Sequence, residues 1–278
     1  MKNDALGSRM KHNYEEVSKY RLTRRTPVII RLDGKSFHTF TKGFKRPFDD
    51  ILHKAMKNTM LYLCKNIQGC KFGYTQSDEI TLLLTDFDTI TTDAWFDYEV
   101  QKLCSVSASM ATFAFNRYFA DAVNEHFTGC VMDKYQKTMC LARDKGAMFD
   151  ARCFNIPVDE VANCFIWRIQ DCVRNAVQMV AQSEFTPDEI HKKSTDKLIK
   201  MLETEKNIKF CQFPAEYKYG VIAFKKKLTY EDGRVKSKWN MAPCPPDITT
   251  HRDVIENYLN SVSIQDIIDK NIREPLIN

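Results

Sequence analysis

Short apolar runs alternate along this chain with longer stretches in which apolar residues recur every three or four positions. Val28-Ile29-Ile30-Arg31-Leu32 is a β-branched run suited to a buried strand, opened after Pro27 and closed by Asp33-Gly34. From Asp49-Asp50-Ile51 to Ile67 the acids come first. Leu52, Ala55, Met56, Met60 and Leu63 then share one helical face, and Gly69 ends the stretch. Lys71–Thr75 and Ile80–Leu84 are extended runs joined by Gln76-Ser77-Asp78-Glu79, the pattern of a hairpin with acids at its tip. A helix over Tyr98–Phe119 and a strand over Phe149–Ile156, stopped by Pro157, complete a β-α-β-β-α-β order.

That order predicts an α+β fold of the ferredoxin-like kind, with one antiparallel sheet. A long helix follows over Asp159–Phe185, with Val161, Phe165, Ile169, Cys172, Val173, Ala176, Val177 and Val180 at helical spacing. Thr186-Pro187-Asp188-Glu189 opens another, with Thr as cap, Pro at the first position and Glu189 closing a capping box; it is expected to continue to about Glu205. Tyr219–Thr229 and Val235–Trp239 frame a turn at Tyr230–Arg234, a second hairpin made basic by Lys225, Lys226, Lys227, Lys236 and Lys238. Residues 1–185 are expected to form the sheet domain and 186–278 a helix and hairpin extension packed on it. No repeat or flexible linker divides them cleanly, so both fit a single domain.

Composition narrows the class. With 278 residues and 44% hydrophobic content, the chain can bury a large core. No run approaches the roughly 18 apolar residues of a membrane span, and Met1–Lys19 is polar, so a cytoplasmic protein is expected. Its ten cysteines form no CxxC pair and have no histidine at zinc-finger spacing, which reads as reduced, mostly buried thiols. The net charge of +5 is uneven: residues 1–50 carry 12 basic against 6 acidic groups and residues 186–240 carry 13 against 8, the rest being net acidic. That distribution fits equally a polyanion touching two regions or an ordinary solvated surface.

The chemistry points to Asp33 and Asp78. Each sits where an apolar run meets a turn, and in the expected sheet the end of the first strand approaches the hairpin tip. Two carboxylates at close range repel unless a divalent cation neutralises them, and magnesium typically takes one or two carboxylates plus substrate phosphates. Glu79 is the weaker candidate, since strand alternation points it away from Asp78. Asp86 and Asp88 read as a solvated turn, Trp167 as core, and Trp239 as a stacking candidate among basic residues.

Arg31-Leu32-Asp33-Gly34-Lys35-Ser36-Phe37-His38, Phe44-Lys45-Arg46-Pro47-Phe48-Asp49, Gln76-Ser77-Asp78-Glu79, Phe149-Asp150-Ala151-Arg152 and Trp167-Arg168-Ile169-Gln170-Asp171-Cys172 together resemble the tRNA-histidine guanylyltransferase family. The resemblance is ordered and spans residues 20 to 185. It implies a polymerase-like palm that adds nucleotides to the 5′ end of tRNA, after activating a 5′ monophosphate with ATP or directly on a 5′ triphosphate. It implies two Mg2+ ions at Asp33, Asp78 and the Gly34 carbonyl, with residues 33–38 and Ser77 around the triphosphate of GTP or another nucleotide. It also implies a homotetramer.

Side-chain roles stay open within that frame. Lys35 and Arg31 read equally as phosphate donors or surface cations, and His38 as a phosphate or ribose contact or a structural histidine. Arg46 stands where the resembled enzymes often have lysine, so it is a candidate for phosphate attraction in the activation step. After Asp171-Cys172 the chain reads Val173-Arg174-Asn175-Ala176, where eukaryotic members typically have His-Ile-Asn-Asn; this looks like the bacterial and archaeal guanylyltransferase-like branch, associated with template-dependent 5′-end repair. Arg174, Asn175 and Gln178, on one helix, fit RNA or nucleotide contacts and ordinary helix-surface packing equally, and Lys225 and Lys227 are further candidate contacts. A palm-type nucleotide cyclase and a non-catalytic RNA-binding protein are the alternatives.

Overall fold

The computed structural model describes residues 5–127, 133–229 and 235–245. The tip expected at Tyr230–Arg234, Cys130 and the Lys227 side chain lie outside the described residues.

Pro27 leads into β1 (Val28–Gly34), which pairs antiparallel on both sides, with β3 (Glu79–Leu84) and with β4 (Phe149–Asn155). Neighbours on both edges and packed layers on both faces account for its unbroken Val-Ile-Ile run. β2 (Cys70–Gln76) closes the hairpin with β3, and β5 (Val221–Thr229) and β6 (Val235–Pro243) continue the same sheet in the order β4-β1-β3-β2-β5-β6. The α+β antiparallel architecture is therefore as read. The C-terminal hairpin is itself part of the sheet, joined where Phe72, Gly73, Tyr74 and Thr75 pair with Phe224, Ala223, Ile222 and Val221.

Strand alternation divides the core. Val28, Ile30, Leu32, Ile80, Leu82 and Leu84 point to one face, where α1 (Asp50–Asn66) contributes Met56, Met60 and Leu63, and α2 (Val100–His126) contributes Phe115 and Phe119. Ile29, Leu83, Phe72, Tyr74, Ile222 and Phe224 point to the other, against Phe165, Ile169 and Cys172 of α4 (Val161–Glu184). By the same alternation Arg31 and Asp33 share the α4 face with Ile29, and Glu79 shares it with Leu83.

Several elements depart from expectation. The helix read as ending at Phe119 runs to His126, because Ala122 and Val123 extend its buried stripe. A polar helix, α3 (Lys134–Lys145), lies between α2 and β4; Asp133 caps it and Gly146, at φ +69, follows its end. The helix opened by Thr186 keeps its capping box but lasts one turn, Pro187–Ile190. Lys192 adopts φ +56 and breaks it, and Ser194 starts α5 (Thr195–Lys206) by accepting from the Lys197 amide. Asp86 is no solvated turn: it is fully buried and accepts hydrogen bonds from Arg24 Nε (2.8 Å) and the Arg25 amide (2.9 Å). The basic lead-in folds back to reach it. Asp88 is likewise paired, with Lys71.

Candidate active site

The end of β1 brings three acids into register. Asp33 lies opposite Glu79 on β3 and Asp150 on β4. Like charges directly opposite in a sheet repel, and two of the three are answered locally. Arg168 of α4 donates to both Glu79 oxygens, at 2.7 and 2.6 Å, and to Asp171 at 2.8 Å. Arg152 pairs with Asp150 at 3.1 Å. Asp33 has no cationic partner among the described residues.

Asp78 is the second residue of the two-residue turn between Gln76 and Glu79, which pair across the hairpin. Ser77 before it holds φ +48, a left-handed conformation uncommon outside glycine, and its hydroxyl donates to Asp78 Oδ1 at 3.1 Å. Burial and then the charge of Asp33 push the Asp78 carboxyl up to about 6. The two acids therefore sense each other, and among the described residues neither has a counter-cation. Among the described residues no cluster of three or more His, Cys, Asp or Glu forms a metal cage. Two under-neutralised carboxylates suit magnesium, which completes its shell with water and phosphate.

The turn after β1 is anchored from behind. The Phe37 ring occupies the place a Cβ on Gly34 would take, 2.1 Å from that position, so glycine is required here by packing. Phe37 is buried among Phe40, Phe115 and Phe149, with ring centroids 5.1 to 5.5 Å apart. Its side chain belongs to the core, and only its backbone faces the turn. Ser36 holds φ +56, and Lys35, Ser36 and His38 are exposed. Both acid-bearing turns thus carry a serine in the left-handed region, a local cost that folds retain at functional sites.

A cleft runs from the hairpin tip between α1 and α4, and the structure places Ser77, Arg46, Lys45, Asp49, Met179 and Gln182 along it. Arg46 is exposed. The loop carrying it is latched by Asp49, which accepts from the amides of Lys45 (3.0 Å), Ile51 (3.0 Å) and Leu52 (3.1 Å) and from the Tyr135 hydroxyl (2.8 Å). Next to it, Asn175, Gln76, Phe48 and Tyr217 line a second cleft that also reaches Ser77. Phe48 stacks on Tyr217 with centroids 4.6 Å apart, and Tyr217 bonds Asp50, which fastens the segment before β5 to the start of α1.

The other candidates separate. Asn175 reaches this cleft, while Arg174 is exposed and pairs with Asp171 at 2.6 Å. Asp171 sits below the usual carboxylate range despite its burial, because Arg174 and Arg168 hold its charged form. Arg31 stays on the acid face, its Nε buried with no hydrogen-bond partner and its guanidinium 5.5 Å from the Trp167 ring. Trp167 is 47% exposed and so not core: it falls off the buried stripe of Phe165, Arg168, Ile169 and Cys172. Lys225 is not brought to the acids. Alternation puts it with Ala223 on the α1 face, beyond the β2 pairing and 5.3 Å from the Trp239 ring.

Sequence reasoning missed the Glu79–Arg168 pair and the Asp49 latch. The signal for the first was present: an arginine on an otherwise apolar helical stripe needs a buried acid. The acidic start of α1 held the second, since an aspartate before a helix is a cap.

Comparison with known proteins identifies the family. The tRNAHis guanylyltransferase family model matches residues 7–157. A bacterial tRNA(His) guanylyltransferase (Thg1)-like protein in complex with ATP superposes with TM-score 0.76 at 38% identity, covering 91% of this chain and 98% of its own. The same kind of protein in complex with GTP gives 0.71 at 36%, covering 92% and 99%. An uncharacterized protein of Acanthamoeba polyphaga mimivirus is 34% identical over 240 residues, covering 83% of this chain and 80% of its own. With the family model spanning more than half of its length, the chain belongs to the tRNAHis guanylyltransferase family and is a nucleotidyltransferase.

Proposed function

We propose that this protein adds nucleotides to the 5′ end of tRNA, extending the strand in the 3′–5′ direction with ATP as activator and GTP or another nucleoside triphosphate as donor. The observation that carries the reading is the Asp33–Asp78 pair: two carboxylates in mutual repulsion, one raised to about 6, with no cationic partner among the described residues. The ATP and GTP complexes of similar bacterial proteins support the choice of substrates.

Asp33, Asp78 and the Gly34 carbonyl are the groups to hold two magnesium ions, which when bound favour ionisation of the attacking 3′ hydroxyl and neutralise charge on the leaving phosphate. The exposed turn Lys35, Ser36 and His38, the backbone of Phe37 and the Ser77 hydroxyl surround the triphosphate. Arg46, in the cleft that also holds Ser77, attracts phosphate during activation. Its planar guanidinium offers paired donors that match phosphate oxygens. Arg31 supplies a further donor on the acid face. Arg168 keeps Glu79 neutralised and out of the reaction.

The chain's departure from His-Ile-Asn-Asn after Cys172 favours template-directed repair of several tRNAs over service to tRNA-histidine alone. Its free cysteines fit a reducing cytoplasm, and no helix among the described residues is long and apolar enough to cross a membrane. The family's homotetramer is carried over as the assembly, to be checked by light scattering. The deciding experiment offers 5′-labelled tRNAs, intact and 5′-truncated, with each triphosphate in turn. Watson–Crick-directed addition to several truncated tRNAs is expected. Addition confined to tRNA-histidine would overturn the repair reading, and a cyclic product from ATP or GTP without RNA would overturn the nucleotidyl transfer to RNA.

A further inference from the structure

α4 passes the acid pair like a ruler. Arg168 marks the level of Glu79 and hence of Asp33, its cross-strand neighbour. Toward the C-terminus the helix gives Asn175, Met179 and Gln182 to the clefts that meet Ser77. Toward the N-terminus it presents Trp167, which is 47% exposed and lines neither cleft.

The surroundings of this indole are unusual. The guanidinium of Arg168 lies 4.4 Å from the ring centroid and that of Arg31 5.5 Å. Arg168 has its charge engaged by Glu79 and Asp171, and nearby Arg152 by Asp150. Arg31 alone of the three has no carboxylate partner among the described residues, and its Nε is shielded from water without a hydrogen bond. A buried guanidinium donor left unmatched costs stability unless an anion arrives. Arg31 stands two residues before Asp33 on the same strand face, roughly 7 Å away.

We propose that Trp167 is a stacking platform for an unpaired nucleobase of the RNA substrate, with Arg31 taking the phosphate beside it. The inference rests on the proposed 5′-end addition and says where the strand lies. A free nucleotide is held in concave sites that cover most of its surface. An indole 47% exposed, outside both clefts, leaves ring surface open without walls, which suits a base whose position is already set by the polymer it belongs to. The cleft on the Arg46 side and the open Trp167 side then flank the acid pair, one for the small substrate and one for the strand.

The test uses the full chain in a Trp239→Phe background, leaving buried Trp95 and exposed Trp167 as emitters, in magnesium buffer. Short single-stranded oligoadenylate is expected to quench the emission, with ATP alone and a blunt RNA duplex doing so far less. By anisotropy of labelled oligoadenylate, Trp167→Ala is expected to weaken binding about tenfold and Trp167→Phe to recover most of it, as for base–aromatic stacking; Arg31→Gln weakens it with the indole intact. Thermal melting confirms that each variant folds. Unchanged affinity in Trp167→Ala overturns the platform; equal quenching by ATP reassigns the indole to the free nucleotide, and equal quenching by the duplex removes the unpaired base. Intact quenching by a wild-type protein that fails to extend tRNA supports the platform and overturns the proposed function instead.

Discussion

Asp33 and Glu79 face each other across two paired strands, yet the fold treats them in opposite ways. Glu79 receives a bidentate arginine, itself shared with Asp171, and is sealed between sheet and helix. Asp33, and Asp78 in the β2–β3 turn, have none among the described residues, and the second is raised to about 6 as a result of burial and of the first. Under the proposed function the contrast separates an acid that the protein neutralises itself from two that it leaves for a ligand. A buried acid that serves structure is neutralised in place; acids proposed to bind a cation keep their mutual repulsion until one enters.

Substitutions can break this contrast from either side. Asp33→Asn and Asp78→Asn keep shape and remove charge, so each is expected to lower 5′ addition by about a thousandfold or more, corresponding to about 4 kcal/mol of barrier. Circular dichroism should show an unchanged fold; retained addition by either variant would end the metal assignment. On the paired side, Arg168→Met strands Glu79 without its counter-charge and is expected to cost about 3–5 kcal/mol in urea unfolding. Adding Glu79→Gln to it should recover part of that loss, because no buried charge then remains.

Acidity offers a finer probe. The folded protein holds a proton on Asp78 up to about pH 6, well above the unfolded value of 3.8. Its contribution to stability is therefore full below about pH 4 and lost as pH rises through about 6. Without divalent metal the melting temperature of Asp78→Asn should exceed that of the parent at pH 8, with the gap closing toward pH 4; magnesium should raise the parent at pH 8 and leave the variant unmoved. The smallest effect is expected at Ser77→Gly. Relief at φ +48 and the added chain entropy oppose each other, leaving a stability change under about 1 kcal/mol. Loss of the hydroxyl on Asp78 should still slow addition by about tenfold, read in the same extension assay.

How much of this was legible follows from the range of each signal. β1 and the β2–β3 hairpin could be read because acids interrupt β-branched runs, a contrast contained within ten residues. The nearness of Asp33 and Asp78 followed from the strand order. The arginine for Glu79 could not be read from spacing, since it comes 89 residues later from a helix crossing the sheet. Trp167 was misread by residue type, although it lies off the stripe that marks the buried side of its helix. The break at Lys192 has no local signature, because lysine is not a residue chosen for left-handed turns. Asp86 looked like a loop acid until Arg24 and Arg25 were seen to close over it.

The pairing of β2 with β5 has a mechanical consequence. The turn bearing Asp78 hangs from two strands that each have a neighbour on the outer side, β1 for β3 and β5 for β2. A segment nearly 150 residues downstream thus splints the corner that carries Asp78. Cutting the chain after residue 185 would strip Ile222 and Phe224 from the second core and bare the edge of β2 at Phe72–Thr75, inviting another chain to add itself there. The stiffness of the Asp78 turn is borrowed from a hairpin far along the polypeptide.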